Sequence, residues 1–198
     1  MIKVIAFDFG GVLYTWDKAK LLRDLSRELK VAPTSVEIAW NQAVAPFELG
    51  KIKENQFWKK FLQFLDLKHS PRKLHQIVLH QFKPMKKNIA LLKRLKKNYR
   101  IGLLSDHTDW IDQLEKKFHF KKLFDFMIVS KEIGLKKPDK RIFSLLIKKA
   151  EVRPQEILFI DNRLEFKKPV QKRGLNFIFY HNYPNLIRDL KKLKIKFS

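Results

Sequence analysis

The chain has 198 residues and a formal net charge of +23, from 43 Lys and Arg against 20 Asp and Glu. It has no cysteine, which excludes a disulfide framework, thiol catalysis and thiolate metal sites. Apolar residues make up 45% of the chain, enough for a sizeable core in one domain or in a core with a small insertion. No signal peptide or membrane span is recognisable, so we expect a soluble cytoplasmic protein without a membrane partner.

The first predicted strand, Ile2–Asp8, is followed by two glycines and then by a long interval without strands. Helical patterns fill that interval, with Pro and Gly residues between them: Asp17–Leu29, Ser35–Ala45, Glu54–Leu65 and Pro71–His80. This organisation predicts a helical cap over residues 15–85, inserted into a core formed by residues 1–14 and 86–198.

Beyond the cap, apolar segments alternate with helical patterns. The further predicted strands do not alternate in polarity: Tyr99–Ser105, Phe126–Ser130, Ile157–Asp161 and Leu175–Tyr180. Such runs are typical of strands that are buried on both faces of a parallel sheet. The helical patterns Lys86–Lys97 and Asp139–Lys149 lie between them. The sequence therefore predicts an α/β fold with a doubly wound parallel sheet.

The positive charge is concentrated in two blocks. Residues 67–105 contain eleven Lys or Arg and no acid, and residues 166–198 contain nine against one acid, Asp189. Such blocks indicate either a polyanionic partner or solvated helix faces. We favour solvated faces here, and expect any nucleic-acid binding to be weak and non-specific.

Polar side chains stand where the predicted strands end. Asp8 ends the first strand, Ser105 and Asp106 end the second, and Asp161 and Asn162 end the fourth. Lys136 and Lys137 follow the third strand. Since ligands bind at the carboxyl ends of parallel strands, these groups are expected to converge on one edge. Two carboxylates suit Mg²⁺, and a hydroxyl with a lysine suits a phosphate. Taken singly, each is more often a helix cap.

Taken in order, four motifs resemble those of the haloacid dehalogenase superfamily, of the phosphatase type with a helical cap after the first motif. The motifs are FDFGGVL with Asp8, IGLLSDHT with Ser105, VSKEIGLKKPDKRIF with Lys137, and ILFIDN with Asp161. The resemblance spans essentially the whole chain and is strongest from Ser130 to Asn162. It implies a Rossmann-like core.

The resemblance also implies roles for these residues. Asp8 would be the nucleophile that forms an aspartyl-phosphate, which water then hydrolyses. Ser105, Asp106, Gly11 and Lys137 would bind the substrate phosphate. Mg²⁺ would be held by Asp8, Asp161 and the backbone carbonyl of Gly10. Either Asn162 or Glu165 would complete the metal site.

Gly10 departs from the family pattern, because most of its phosphatases carry there a second Asp that acts as general acid and base. Asp17, nine residues after Asp8, is a candidate replacement, with a helix N-cap as the alternative. Asp106 also departs from the pattern, because Asn is usual after Ser105.

The sequence favours an Mg²⁺-dependent phosphatase acting on a small phosphate monoester, such as a sugar phosphate or a nucleotide. One alternative is a weakly active or non-catalytic fold that binds a phosphorylated or nucleic-acid partner. Haloacid dehalogenation is a third, opposed by the ILFIDN motif. We expect a monomer or a homodimer. The cap residues Trp16, Trp40, Phe47, Glu48 and Lys51 are candidates to face the site, with packing or surface placement as the alternative.

Overall fold

The computed structural model describes residues 1–197 and contains one five-stranded parallel sheet. Its strands are β1 (Val4–Phe7), β2 (Arg100–Ser105), β3 (Phe126–Val129), β4 (Ile157–Asp161) and β5 (Asn176–Phe179). The spatial order is β3-β2-β1-β4-β5, so the chain moves outward from β1 in both directions. The predicted α/β fold with a doubly wound parallel sheet is confirmed.

Ten α-helices accompany the sheet in the described part of the chain. Their bounds are α1 (Lys18–Leu29), α2 (Pro33–Glu48), α3 (Glu54–Phe64), α4 (Pro71–His80), α5 (Lys86–Leu95), α6 (Trp110–Phe118), α7 (Ser130–Ile133), α8 (Lys140–Ala150), α9 (Lys167–Gln171) and α10 (Tyr183–Lys192). No helix among residues 1–197 is both long enough and apolar enough to cross a membrane.

Two apolar layers bury the two faces of the sheet. One contains Leu92 of α5, Leu114 of α6 and Leu190 of α10 and continues into the inserted helices. The other contains Phe143 of α8 and Val170 of α9. Because side chains of successive strand residues point to opposite faces, Ile5 belongs to the first layer and Val4 and Ala6 to the second.

Helices α1–α4 lie between β1 and α5. The two connections to them run side by side: the Met85 amide donates to the Leu13 carbonyl at 2.9 Å, and the Thr15 amide donates to the Lys83 carbonyl at 2.9 Å. These bonds fix where the inserted helices leave the sheet and return to it. The division into a core and a cap at residues 15–85 stays a prediction.

Several predicted element ends shift by a few residues. β1 ends at Phe7 and β3 at Val129, because the chain turns at Asp8 and begins α7 at Ser130. Helix α2 continues to Glu48, past Pro46. A proline in the last turn removes only one helical hydrogen bond, so it does not end the helix.

Candidate active site

Three charged side chains meet at the carboxyl edge of the sheet. The Lys137 Nζ donates to Asp8 Oδ1 at 2.7 Å and to Asp161 Oδ2 at 2.7 Å. All three residues are buried, with exposed fractions of 3% for Lys137, 8% for Asp8 and 0% for Asp161. The predicted convergence of the two acids and the lysine is therefore observed.

Strand pairing brings the two acids together. β1 and β4 are parallel neighbours in which Phe7 pairs with Ile160, so the residue after each comes to the same edge. The Asp8 amide continues the ladder by donating to the Ile160 carbonyl at 2.9 Å. One Asp161 oxygen, Oδ1, accepts the Arg163 amide at 2.8 Å, which fixes the orientation of this carboxylate.

Lys137 reaches the acids from the segment between α7 and α8, and two groups at the end of β2 hold it. Its backbone amide donates to Asp106 Oδ1 at 3.0 Å, and its Nζ lies 3.4 Å from the Leu104 carbonyl oxygen. Asp106 therefore contacts Lys137 rather than standing free beside the site. Ser105, the last residue of β2, is buried at the same edge. Its contact with a phosphate stays a prediction.

The electrostatics follow from burying two acids with one base. Burial raises the pKa of Asp8 to about 7; the Lys137 ammonium opposes this rise, and the Asp161 carboxylate adds to it. Burial disfavours the charge of Lys137, but its carboxylate neighbours outweigh this effect and raise the pKa of Lys137 above its ordinary value. With both acids ionised, the site carries one excess negative charge.

The two glycines after Asp8 have different reasons to be glycine. Gly11 has φ of +79°, and an added Cβ would overlap the side-chain amide of Asn162. A side chain at Gly11 is therefore strained by conformation, and it would also have to displace the Asn162 side chain. Gly10 is not among the residues with positive φ, and its added Cβ would lie 3.3 Å from the Cβ of Trp16. Gly10 is crowded only by that tryptophan.

Asp17 and Glu165 are occupied elsewhere. Asp17 is the N-cap of α1, and its Oδ1 accepts the Lys20 amide at 2.9 Å. A role as general acid would require it to leave this cap, and it stays a prediction. Glu165 does not join Asp8 and Asp161: it lies on a short 3-10 turn, is exposed, and accepts from the Arg163 guanidinium. The roles of Glu165 and Asn162 as metal ligands, directly or through water, stay predictions.

The residues fit a magnesium ion that is completed by other ligands. No group of three or more His, Cys, Asp or Glu that would enclose a metal exists among residues 1–197. The carboxylates of Asp8 and Asp161 are oxygen donors at this edge, with a negative excess charge when both are ionised, and the Gly10 carbonyl as a third donor stays a prediction. Mg²⁺ commonly binds through one or two carboxylates together with waters and substrate phosphate. This donor set suits such a site.

The sequence did not predict how the inserted helices contact the sheet edge. Lys136, next to Lys137, donates through Nζ to Glu48 Oε2 at 2.7 Å, and Ser130 Oγ donates to the Glu48 carbonyl at 2.6 Å. Glu48, one of the candidate cap residues, therefore contacts the lysine next to Lys137. Trp40 and Phe47 do not, because both are buried against other aromatic rings.

A second cross-link passes through Glu54 of α3. Its carboxylate accepts the indole N–H of Trp58 at 3.0 Å and that of Trp110 in α6 at 2.8 Å, and it also pairs with His75 of α4. Three helices, two of them in the inserted segment, therefore share one carboxylate. Nothing in the local sequence of Glu54 distinguishes it from an ordinary first-turn acid of a helix.

The model of the haloacid dehalogenase-like hydrolases matches residues 2–165, a range that contains Asp8, Ser105, Lys137 and Asp161. The chain belongs to this family. It is 28% identical over 173 residues to D-ribitol-5-phosphate phosphatase of Bacteroides thetaiotaomicron, covering 82% of this chain and 84% of that enzyme. It is also 28% identical over 93 residues to mouse bifunctional epoxide hydrolase 2, where the match covers 43% of this chain and 17% of that protein.

Solved structures of the family share the fold. A haloacid dehalogenase family enzyme from Bacteroides thetaiotaomicron, solved with magnesium and inorganic phosphate, superposes with a TM-score of 0.82 at 21% identity. The superposition covers 95% of this chain and all of that one. At this identity the match establishes the common architecture.

Proposed function

We propose that this hydrolase is an Mg²⁺-dependent phosphatase that cleaves a small phosphate monoester, such as a sugar phosphate or a nucleotide, through an aspartyl-phosphate at Asp8. The observation that carries the proposal is the Lys137 ammonium shared at 2.7 Å by Asp8 and Asp161. The similarity to a D-ribitol-5-phosphate phosphatase supports this reaction class.

The two oxygens of Asp8 have different surroundings. Oδ1 accepts from Lys137, and Oδ2 makes no hydrogen bond within residues 1–197. We therefore propose Oδ2 as the oxygen that attacks phosphorus. The P–O bond to the alcohol breaks, and the leaving oxygen takes a proton. Water then attacks the aspartyl-phosphate, releases phosphate and restores the Asp8 carboxylate.

Lys137 and the metal ion would offset the negative charge at this step. Lys137 holds the two acids in place and presents a positive charge where the phosphoryl group must come. Bound Mg²⁺, held by Asp8, Asp161 and the Gly10 carbonyl, would neutralise charge on the phosphoryl oxygens. The proton for the leaving oxygen would come from water, a substrate hydroxyl or Asp17, because Gly10 provides none.

A panel of phosphate esters tests this proposal. Phosphate release is measured from aryl phosphates, sugar phosphates and nucleotides, with Mg²⁺ and with excess chelator. We expect release from at least one class, and its loss in chelator. Undiminished release in chelator contradicts the magnesium role. Release of halide from a 2-haloacid, without any phosphate release, supports dehalogenation instead.

A further inference from the structure

The two basic blocks of the chain come together in the fold. Helix α5 lies in the block at residues 67–105, and α10 lies in the block at residues 166–198. Both helices pack on the same apolar layer, through Leu92 and Leu190 respectively. Blocks that are about 100 residues apart in sequence therefore form a continuous basic surface on one side of the sheet.

Three contacts join the helices along their length. The Lys87 ammonium lies 6.0 Å from the ring centre of Tyr183, and the Arg94 guanidinium lies 5.6 Å from that of Phe197. The Lys196 amide donates to the Tyr99 hydroxyl at 2.8 Å. The first turn of α5 lies near the first turn of α10, and the C-terminal end of α5 lies near the residues that follow α10. The two helices therefore run in the same direction. The aromatic rings also hold two of the cations in place.

The cations on this surface are exposed and free of acids. We define the α5–α10 face by the exposed Lys and Arg side chains of residues 86–97 and 183–197 that take part in none of the ion pairs found among residues 1–197. They are Lys86, Lys87, Lys93, Arg94, Lys97, Lys191, Lys194 and Lys196. Excluded are Lys96, which pairs with Asp125, and Arg188 and Lys192, which share Asp189. Eight cations without a counter-charge on two adjacent helices repel one another, unless an anion covers them.

The chemistry of the face favours a nucleic acid over a membrane surface. Peripheral membrane helices insert apolar side chains. Among residues 1–197, Leu193 is the only large apolar residue of α10 and its C-terminal extension that is classed as exposed, and its exposed fraction is only 40%. α5 has ten residues and is about 15 Å long, and a duplex carries about nine phosphates over that length. A duplex therefore presents a dense row of negative charges to the cations of the face.

We propose that the α5–α10 face binds the phosphate backbone of double-stranded nucleic acid independently of its sequence. Lysines on phosphates fix position but carry no base information. The face lies along one side of the sheet, and none of its eight cations belongs to the Lys137–Asp8–Asp161 cluster. This surface is separate from the proposed phosphatase activity and does not depend on it.

Binding of a fluorescein-labelled duplex RNA, followed by fluorescence anisotropy over a range of salt concentrations, tests the proposal. For the native protein we expect the slope of log K against log salt to lie at about −4 to −6, reflecting release of counterions. The quadruple variant K87Q/R94Q/K191Q/K194Q should bind at least about 30-fold more weakly, with a slope shallower by about three.

A matched control separates this face from net charge alone. The variant K140Q/K148Q/K168Q/K172Q also removes four positive charges, but from exposed positions in and beside α8 and α9. These two helices pack on the other side of the sheet. We expect its affinity to change less than about threefold. The double variant K191Q/K194Q leaves the ring contacts intact and should show an intermediate loss. Equal losses in both quadruple variants would overturn the proposal, as would binding to phosphatidylserine vesicles without binding to the duplex.

Discussion

The backbone amide of Lys137 donates to Asp106 Oδ1 at 3.0 Å, across 31 residues of sequence. This bond connects the end of β2 to the segment that carries the ammonium shared by Asp8 and Asp161. Burial raises the pKa of Asp106, with the Lys137 charge opposing the rise. The extra acid beside the site is thus used to hold the lysine.

Two substitutions at Asp106 separate its acceptor from its charge. Asp106→Asn keeps an oxygen for the Lys137 amide and removes a negative charge near the phosphate, so kcat/KM should stay the same or rise. Asp106→Ala removes the acceptor, misplaces Lys137 and should lower kcat about tenfold, a barrier increase of about 1.4 kcal/mol. Steady-state kinetics on an aryl phosphate gives both values. Equal activity in the two variants contradicts the positioning role.

Removing the ammonium should destabilise the fold as well as abolish activity. Lys137→Met leaves two buried carboxylates facing each other, a loss of about 3–5 kcal/mol in the free energy of unfolding. Urea denaturation without metal measures it. The matched control is Lys136→Met, which breaks the half-exposed pair with Glu48 and should cost less than about 1 kcal/mol. Similar losses of unfolding free energy in both variants would contradict the predicted contribution of the buried Lys137 ammonium to stability.

Gly10 and Gly11 give a matched test of the missing acid. Gly10→Asp requires only a small shift of Trp16, so the variant should fold, and its new carboxyl group should raise turnover of alkyl phosphates more than of aryl phosphates. Gly11 has a positive φ, and a Cβ added there would overlap the Asn162 side chain. Gly11→Ala should therefore destabilise the protein. Thermal unfolding and turnover of both ester types are measured. A stable Gly10→Asp variant with unchanged alkyl turnover would place the acid elsewhere.

His107 should make the fold sensitive to mild acid. The centre of its ring lies 5.4 Å from the ring centre of Phe9 and 5.3 Å from that of Phe82. Its Nε2 has no hydrogen-bond partner among residues 1–197. Burial lowers the pKa of His107 from 6.5 to about 4. Between these two pH values, His107 therefore binds a proton in the unfolded chain but not in the folded protein.

The sign of the effect follows from that difference. The contribution of neutral His107 to the free energy of unfolding is fully present above about pH 6.5. About 3 kcal/mol is lost as the pH falls to about 4. His107→Asn cannot titrate but keeps an acceptor for the Thr108 amide, which donates to His107 Nδ1. Urea denaturation at several pH values should give a flatter profile for this variant. Parallel profiles would contradict the assignment to His107.

The sequence was informative where local pattern decides structure. Apolar runs without alternation marked β1 and β4, and the acids at their ends met as expected because parallel strands share an edge. Helix α4 has its predicted bounds because Pro71 favours the first helical turn. The pairing of Asp106 with Lys137 and the shared carboxylate of Glu54 depend on residues far apart in the chain, which no local pattern encodes.

In the proposed mechanism Asp8 becomes phosphorylated during turnover. Acid quenching during hydrolysis of an aryl phosphate, followed by mass spectrometry of the peptide that contains Asp8, measures this most directly. We expect one phosphoryl group on Asp8 in the presence of Mg²⁺, and none in Asp8→Asn or with chelator. Full turnover by Asp8→Asn, or a phosphoryl group on another residue of the native protein, would contradict it.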